Sequence, residues 1–269
     1  MRPLSRIALS AYSVWFWALG FAWMTLVLVP ATIARVFGWL WMRVPFVQRP
    51  MGLTPRLNGT RFRITYDPGY DPTRVCVYAQ NHVNLFDAHT ACAVIRNPFC
   101  GMMNAWQMRV PIYGWLMWLT DGIPVPPRPL ERARKLPAAF RERAARGISV
   151  LTFPEAHRTT DGRVHAFKRG VTQLAKDAGL PIVPIAVRGM FEIMQKGSPL
   201  VRPGGIVHVW VGPHLETEGL DKRQMQALTR AIEAMVRTFV EDGVVPNPAD
   251  DWPPPPRPAA SADGPPVRG

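Results

Sequence analysis

From residue 7 to residue 34 the chain carries no charged side chain, and Trp15, Trp17, Trp23 and the run Leu26-Val27-Leu28-Val29 fall inside that stretch. About 20 residues of this kind cross a bilayer as a helix, so the segment is expected to belong to a membrane. A secretory signal fits less well, because the apolar run is too long and no small-residue cleavage site interrupts it. A second apolar patch, residues 36–42, follows Arg35 and ends at Arg43. Arginines flank the whole region, Arg2 and Arg6 before it and Arg43, Arg49 and Arg56 after it, so the positive-inside bias selects no orientation. A two-helix element dipping into one leaflet, both ends on the cytoplasmic side, accounts for that symmetry. The competing reading is a buried core helix.

The rest of the 269-residue chain suffices for one α/β domain, and an apolar share of 48% excludes wholesale disorder. Polar and apolar residues alternate over 61–66, as in a half-buried strand. Residues 75–79, 148–153 and 182–187 are continuous apolar runs of the buried parallel type, with further strands expected at 99–103 and 206–211. Helical segments fall at 87–96, at 112–119 with an aromatic content that suits the core or, second, a membrane surface, and at 130–146, where Pro137 is expected to break or bend the helix. Phe167-Lys168-Arg169-Gly170 opens another, to about Ala178, and a last amphipathic helix starts at the capping box Asp221/Gln224. The expected organisation is membrane-associated helices over 1–56, an α/β domain with a mixed, largely parallel sheet flanked by helices over 57–243, and a Pro-rich disordered tail over 244–269.

Lys and Arg outnumber Asp and Glu by 32 to 19, and the net charge of +13 calls for an anionic partner. Neither a basic run interleaved with aromatics nor zinc-finger spacing accompanies it, so a lipid surface is expected and nucleic acid is not. Cys76, Cys92 and Cys100 are odd in number and sit in apolar surroundings, which reads as reduced core cysteines of a cytosol-facing protein.

The chemistry is concentrated in Asn81-His82-Val83-Asn84-Leu85-Phe86-Asp87. His82 falls in the turn leaving the strand at 75–79 and Asp87 in the first helical turn beyond, so the carboxylate can fold back onto the imidazole. An Asp accepting from one ring nitrogen fixes the tautomer and leaves the other nitrogen free as a base. A loop histidine beside a helix-capping aspartate is the bland alternative. Pro154-Glu155-Ala156-His157-Arg158 arrives at the carboxyl end of another strand, where open α/β sheets bind ligands.

With His82 and Asp87 followed by Phe153-Pro154-Glu155, Arg158, Phe167-Lys168-Arg169-Gly170 and Val183-Pro184-Ile185-Ala186-Val187-Arg188-Gly189, the chain resembles the glycerophospholipid acyltransferases over residues 57–211. The best-known members of that family acylate 1-acylglycerol-3-phosphate. Its Asn-His-x-x-x-x-Asp block matches Asn81, His82 and Asp87 fully. Its Phe-Pro-Glu-Gly-Thr-Arg block is kept at Phe153, Pro154, Glu155 and Arg158 but carries Ala156 for the glycine and His157 for the threonine. A second block, normally a glycine followed by an acid-Arg pair, survives only as Gly122 and a displaced Arg128, and a basic residue expected before Pro111 only as Arg109. The fourth block, at Val183, Pro184 and Ile185, matches; in the family it is mostly structural and shapes the acyl pocket.

The resemblance implies a membrane-bound acyltransferase at the cytoplasmic face of the inner or cell membrane, taking its acyl group from acyl-CoA or acyl carrier protein and giving it to a lysophospholipid. His82 would be the base and Asp87 its orienter. Arg158 and Arg128 would grip the acceptor phosphate, since guanidinium matches phosphate bidentately. Glu155 would either position the acceptor hydroxyl or orient Arg158, and Lys168 would add phosphate-side charge or start a solvated helix. His157 would narrow the acceptor pocket beside Arg158. No metal or organic cofactor is implied. Two rival classes are a metal-dependent hydrolase using His82, Asp87, Asp121, Glu155 and His157, and an inactive lipid-binding relative.

Overall fold

A computed structural model describes residues 5–252. Arg2 and the proline run at 253–256 lie outside the described residues. The chain forms α1 (Arg6–Val36), α2 (Arg49–Leu57), β1 (Arg61–Tyr66), β2 (Val77–Gln80), α3 (Asp87–Val94), β3 (Phe99–Asn104), α4 (Tyr113–Leu119), β4 (Ile123–Val125) and α5 (Pro129–Ala145). These are followed by β5 (Ser149–Thr152), α6 (Gly170–Asp177), β6 (Ile182–Arg188), α7 (Met190–Ile193), β7 (Ile206–Val211), α8 (Lys222–Arg237) and α9 (Pro248–Asp251).

The seven strands lie in the order β1-β7-β6-β2-β5-β3-β4. The five from β6 to β4 are parallel; β7 runs against β6, and β1 is parallel to β7. The fold is therefore α/β with a mixed, mostly parallel sheet. Apolar runs without alternation become the central strands, because helices cover both faces there. Along β2, Val77 and Ala79 point into one core with α5, α6 and α8, while Tyr78 points into the other with α1 and α3. β1, at the edge, keeps its alternation, with Arg61, Arg63 and Thr65 outward. The Asp221/Gln224 capping box forms as expected at the start of α8.

Three expectations are corrected. Residues 36–42 do not form the second membrane helix. α1 ends in a Schellman motif, with Gly38 at φ 66° and the Trp39 N–H donating to the Ala34 carbonyl, and residues 40–42 are a 3₁₀ turn. The returning limb is a π-helical turn (Val44–Gln48) running into α2. α5 runs unbroken through Pro137, since the carbonyl deprived of a donor belongs to exposed Ala133 and is left to water. In α4, Leu116 and Leu119 are buried against α1, but Trp115 and Trp118, on the other side of this short helix, are 55% and 58% exposed.

The long apolar helix α1 is not free on all sides. Phe16, Met24, Val27 and Ala31 face the domain, while Val14, Trp15, Leu26 and Val29 face outward. Tyr12 donates to Asn58 Oδ1 at 2.7 Å, Trp17 to the Pro199 carbonyl at 2.8 Å, Trp23 to the Pro50 carbonyl at 2.8 Å and Arg35 to Asp121, so the helix is pinned along its length. Gly52 permits the close approach of α2 to α3: a Cβ there would stand 2.7 Å from the Ala93 backbone.

Candidate active site

β2 delivers the Asn81–Asp87 loop at the carboxyl end of the parallel strands, and nearly every polar side chain in the loop is spent on holding it. The Asn81 amide accepts from Val187 N–H at 2.8 Å and donates to its carbonyl at 3.0 Å, continuing the β2–β6 pairing with a side chain. Asn84 accepts from Phe86 N–H and donates to the Met190 and Met194 carbonyls. Gln80 donates to the Asp87 carbonyl at 3.2 Å.

Asp87 is buried in the first turn of α3. Its Oδ2 accepts from His82 Nδ1 at 2.7 Å and from the Val83 and Asn84 N–H groups at 2.5 and 3.0 Å. Two backbone donors converge on the same oxygen as the imidazole, so the carboxylate is fixed independently of it. Nδ1 carries the proton, and Nε2, without a protein partner among the described residues, keeps its lone pair on a side chain that is 23% exposed. The imidazole stacks on Phe153 at a centroid distance of 4.1 Å and an interplanar angle of 16°.

Glu155, delivered by the neighbouring β5, is buried and bonded to backbone alone: Oε1 accepts from His82 N–H at 2.7 Å and Oε2 from His165 N–H at 2.9 Å. Burial pushes its carboxyl above the usual range, against the pull of the two N–H bonds. The turn beyond it places Ala156 at φ 65°, the left-handed conformation in which the glycine of the resembled motif carries no penalty. Thr159 N–H donates to the His82 carbonyl at 2.8 Å, which brings Arg158 beside the histidine loop. The Arg158 guanidinium is half-buried and makes no hydrogen bond or ion pair among the described residues.

The other sequence candidates are less closely joined. His157 is exposed in the same turn, and Lys168 is exposed, tied in only through its backbone N–H to the Pro154 carbonyl. Arg128 precedes α5 beyond the edge strand β4, which two strands separate from β2, and its exposed guanidinium lies 3.9 Å from Glu131. Asp121 does not join a metal-ligand set: its carboxylate is ion-paired to Arg35, Arg43 and Arg146. Among the described residues no group of three His, Cys, Asp or Glu side chains is placed to hold a metal ion. The thiols of Cys76, Cys92 and Cys100 are pushed up to about 12 by burial, which leaves them unreactive.

Two cavities flank the histidine loop. An apolar one of about 80 Å³ reaches Phe153 from between α2, α3, β3 and α4, lined by Met51, His89, Met102, Tyr113 and Met117 among others. It is not lined by Val183, Pro184 or Ile185, which are buried in the sheet. A polar cavity of about 330 Å³ opens next to Val83, with Arg163, Arg188 and Glu241 in its wall. Sequence reasoning singled out Arg188 only as part of a block, and Arg163 not at all.

The fold and loop together define an α/β protein whose oriented histidine can take a proton from a bound hydroxyl, with no side-chain nucleophile hydrogen-bonded to it. The family described as Acyltransferase matches residues 65–188. A 1-acyl-sn-glycerol-3-phosphate acyltransferase of Salmonella typhimurium is 30% identical over 167 residues, covering 62% of this chain and 67% of that protein. The Pseudomonas aeruginosa protein of the same name is 30% identical over 61% of this chain and 63% of its own length, and the Chlamydomonas reinhardtii protein 29% over 60% and 49%. The chain spans about half the length of the algal and plant relatives it matches. The crystal structure of the 1-acyl-sn-glycerophosphate (LPA) acyltransferase PlsC from Thermotoga maritima superposes with a TM-score of 0.64 over 84% of this chain and 95% of that one, at 19% identity, and shares the fold. The chain belongs to the acyltransferase family.

Proposed function

We propose that this protein transfers a fatty acyl group from a thioester, acyl-CoA or acyl carrier protein, to the free hydroxyl of a lysophospholipid, 1-acylglycerol-3-phosphate first among them, to give phosphatidic acid. The observation that carries the reading is the His82 Nδ1–Asp87 contact at 2.7 Å, which leaves Nε2 without a partner among the described residues. Nε2 takes the hydroxyl proton as the oxygen attacks the thioester carbonyl. The tetrahedral intermediate collapses to the new ester, and the departing thiolate takes the proton back from the imidazolium. Asp87 stabilises that imidazolium. Glu155 keeps the His82 backbone in place, and Arg158 grips the acceptor phosphate with help from His157, Lys168 and Arg128. No cofactor enters beyond the donor.

The apolar cavity at Phe153 supports a chain-binding role. It is smaller than a fatty chain, and its methionines, three-torsion side chains that shift at low cost, are the groups that would open it. The names of the relatives support the acceptor. The outward apolar face of α1, continued by Trp39, Trp41, Trp115 and Trp118, supports a domain that lies on a bilayer through this face. The test is a panel of lysolipids given to purified protein with labelled acyl-CoA and labelled acyl carrier protein. Acylation of lysophosphatidate above the other acceptors is expected; transfer to none of them would overturn the reading and leave a lipid-binding relative.

A further inference from the structure

Asp121 precedes β4 at the amino ends of the parallel strands, whereas His82 lies at their carboxyl ends. The strands put the two roughly 15–20 Å apart at 3.3 Å per residue. The Asp121 carboxylate takes Arg35 at 2.5 Å and Arg146 at 3.0 Å on Oδ1, and Arg43 with Arg146 on Oδ2. Arg143 donates to the Asp121 carbonyl and to Glu142. Four guanidiniums thus face two carboxylates, with two positive charges in excess. A structural ion pair requires one arginine, and Arg43, 5% exposed, fills that place. Arg35 and Arg146, at 34% and 43% exposure, hold the surplus at the surface.

The rim of this cluster is aromatic. Phe37, Trp39 and Trp41 stack in sequence with centroids 4.7 and 6.1 Å apart, all exposed, and the Arg35 guanidinium lies 5.4 Å over the Trp118 ring. Leu40 of the same turn lies against Gly147, next to Arg146. Exposed tryptophans settle at the headgroup level of a bilayer, which sets these guanidiniums among lipid phosphates.

We propose that Arg35 and Arg146, held in place by Asp121, form a binding site for the phosphate of an anionic phospholipid headgroup, separate from the transfer site. The proposal rests on the membrane reading above. Inorganic phosphate offers the same chemistry, and the test separates the two sources.

The full chain in neutral maltoside micelles is titrated at fixed ionic strength with dihexanoyl phosphatidylglycerol, dihexanoyl phosphatidylcholine and inorganic phosphate, following tryptophan fluorescence and Tm. Saturable binding of the glycerol lipid is expected, weaker binding of the choline lipid, and little of phosphate. R35Q/R146Q should raise the Kd for the glycerol lipid at least tenfold, since each basic residue near an anionic headgroup contributes about a fivefold gain. R146Q alone leaves Asp121 two partners and guards against a folding defect; about a fivefold loss is expected of it. R134Q/K135Q removes equal charge from α5 and should change the Kd less than twofold. Wild-type affinity in R35Q/R146Q, or an equal loss in R134Q/K135Q, would overturn the site; inorganic phosphate binding as tightly as the lipid would overturn the lipid as its occupant. Flotation on phosphatidylcholine vesicles at high salt reads the apolar face separately, and R35Q/R146Q should float like the wild type.

Discussion

The imidazole of His82 carries three restraints of different kinds: a carboxylate at Nδ1, the Phe153 ring against its face, and Glu155 on its own backbone N–H. None of them occupies Nε2. His82→Ala is expected to lower turnover about 10²–10⁴-fold, the usual contribution of a general base. Asp87→Asn should fall nearly as far, because the amide keeps the shape but favours the wrong tautomer; initial rates with a fixed donor check both. Arg158→Ala should raise the acceptor KM and leave kcat and the donor KM near the wild type, and a shift confined to the donor would move this arginine to the thioester side. Ala156, at φ 65°, pays a left-handed backbone penalty, so Ala156→Gly should stabilise the fold by about 1 kcal/mol in urea unfolding. The histidine–aspartate pair was legible in the sequence because both partners lie in one local turn. The clamp by Glu155 was not, because its partners are backbone N–H groups of residues 82 and 165, which leave no mark in the identity of a side chain.

Between elements the decisive contact is the Asp121 hub, which ties the end of α1, the turn at Arg43 and the end of α5. Burial alone would raise the Asp121 carboxyl, but hydrogen bonds from Arg146 and Arg43, with their charges, outweigh it and hold the group at about 2. A depressed native value means that the unfolded chain binds the proton first as pH falls. The stabilisation is complete above the ordinary aspartate range, near pH 4, and fades from about pH 4 to pH 2. Asp121→Ala should cost about 3–5 kcal/mol at neutral pH, because Arg43 is left buried and unpaired, and should flatten the acid limb of the stability–pH curve. Denaturant unfolding from pH 2 to pH 7 measures both. The central strands were legible because a run buried on both faces is apolar throughout. The aromatic helix α4 was not: composition marks Trp115 and Trp118 as apolar but does not say whether core or surface receives them, and α1 had already taken the inner side.

On the scale of the whole molecule, the outer side of α1, the aromatic turn after it and α4 supply exposed apolar surface to a protein of net charge +13. Trp15→Glu with Leu26→Glu touches only the outer face of α1 and should cut vesicle partitioning at high salt at least tenfold, since burying one such side chain contributes about 1.5–3 kcal/mol. High salt removes the general attraction of the basic surface, so an unchanged partition would mean that α1 does not meet the lipid. Deleting the residues before 57 is a poorer test, because it would bare Phe86, Leu116 and Leu119, which α1 covers. The pinning of that helix also has a consequence in time. Trp17 bonds to the Pro199 carbonyl, 182 residues further on, and Ser13 to the Val201 N–H. At the ribosome's roughly 5–20 residues per second, the first helix waits about ten to forty seconds for its partner to be synthesised. By then the chain has already supplied Phe86, Leu116 and Leu119, which cover the inner face of the helix, so the two late bonds fasten an element that is already seated.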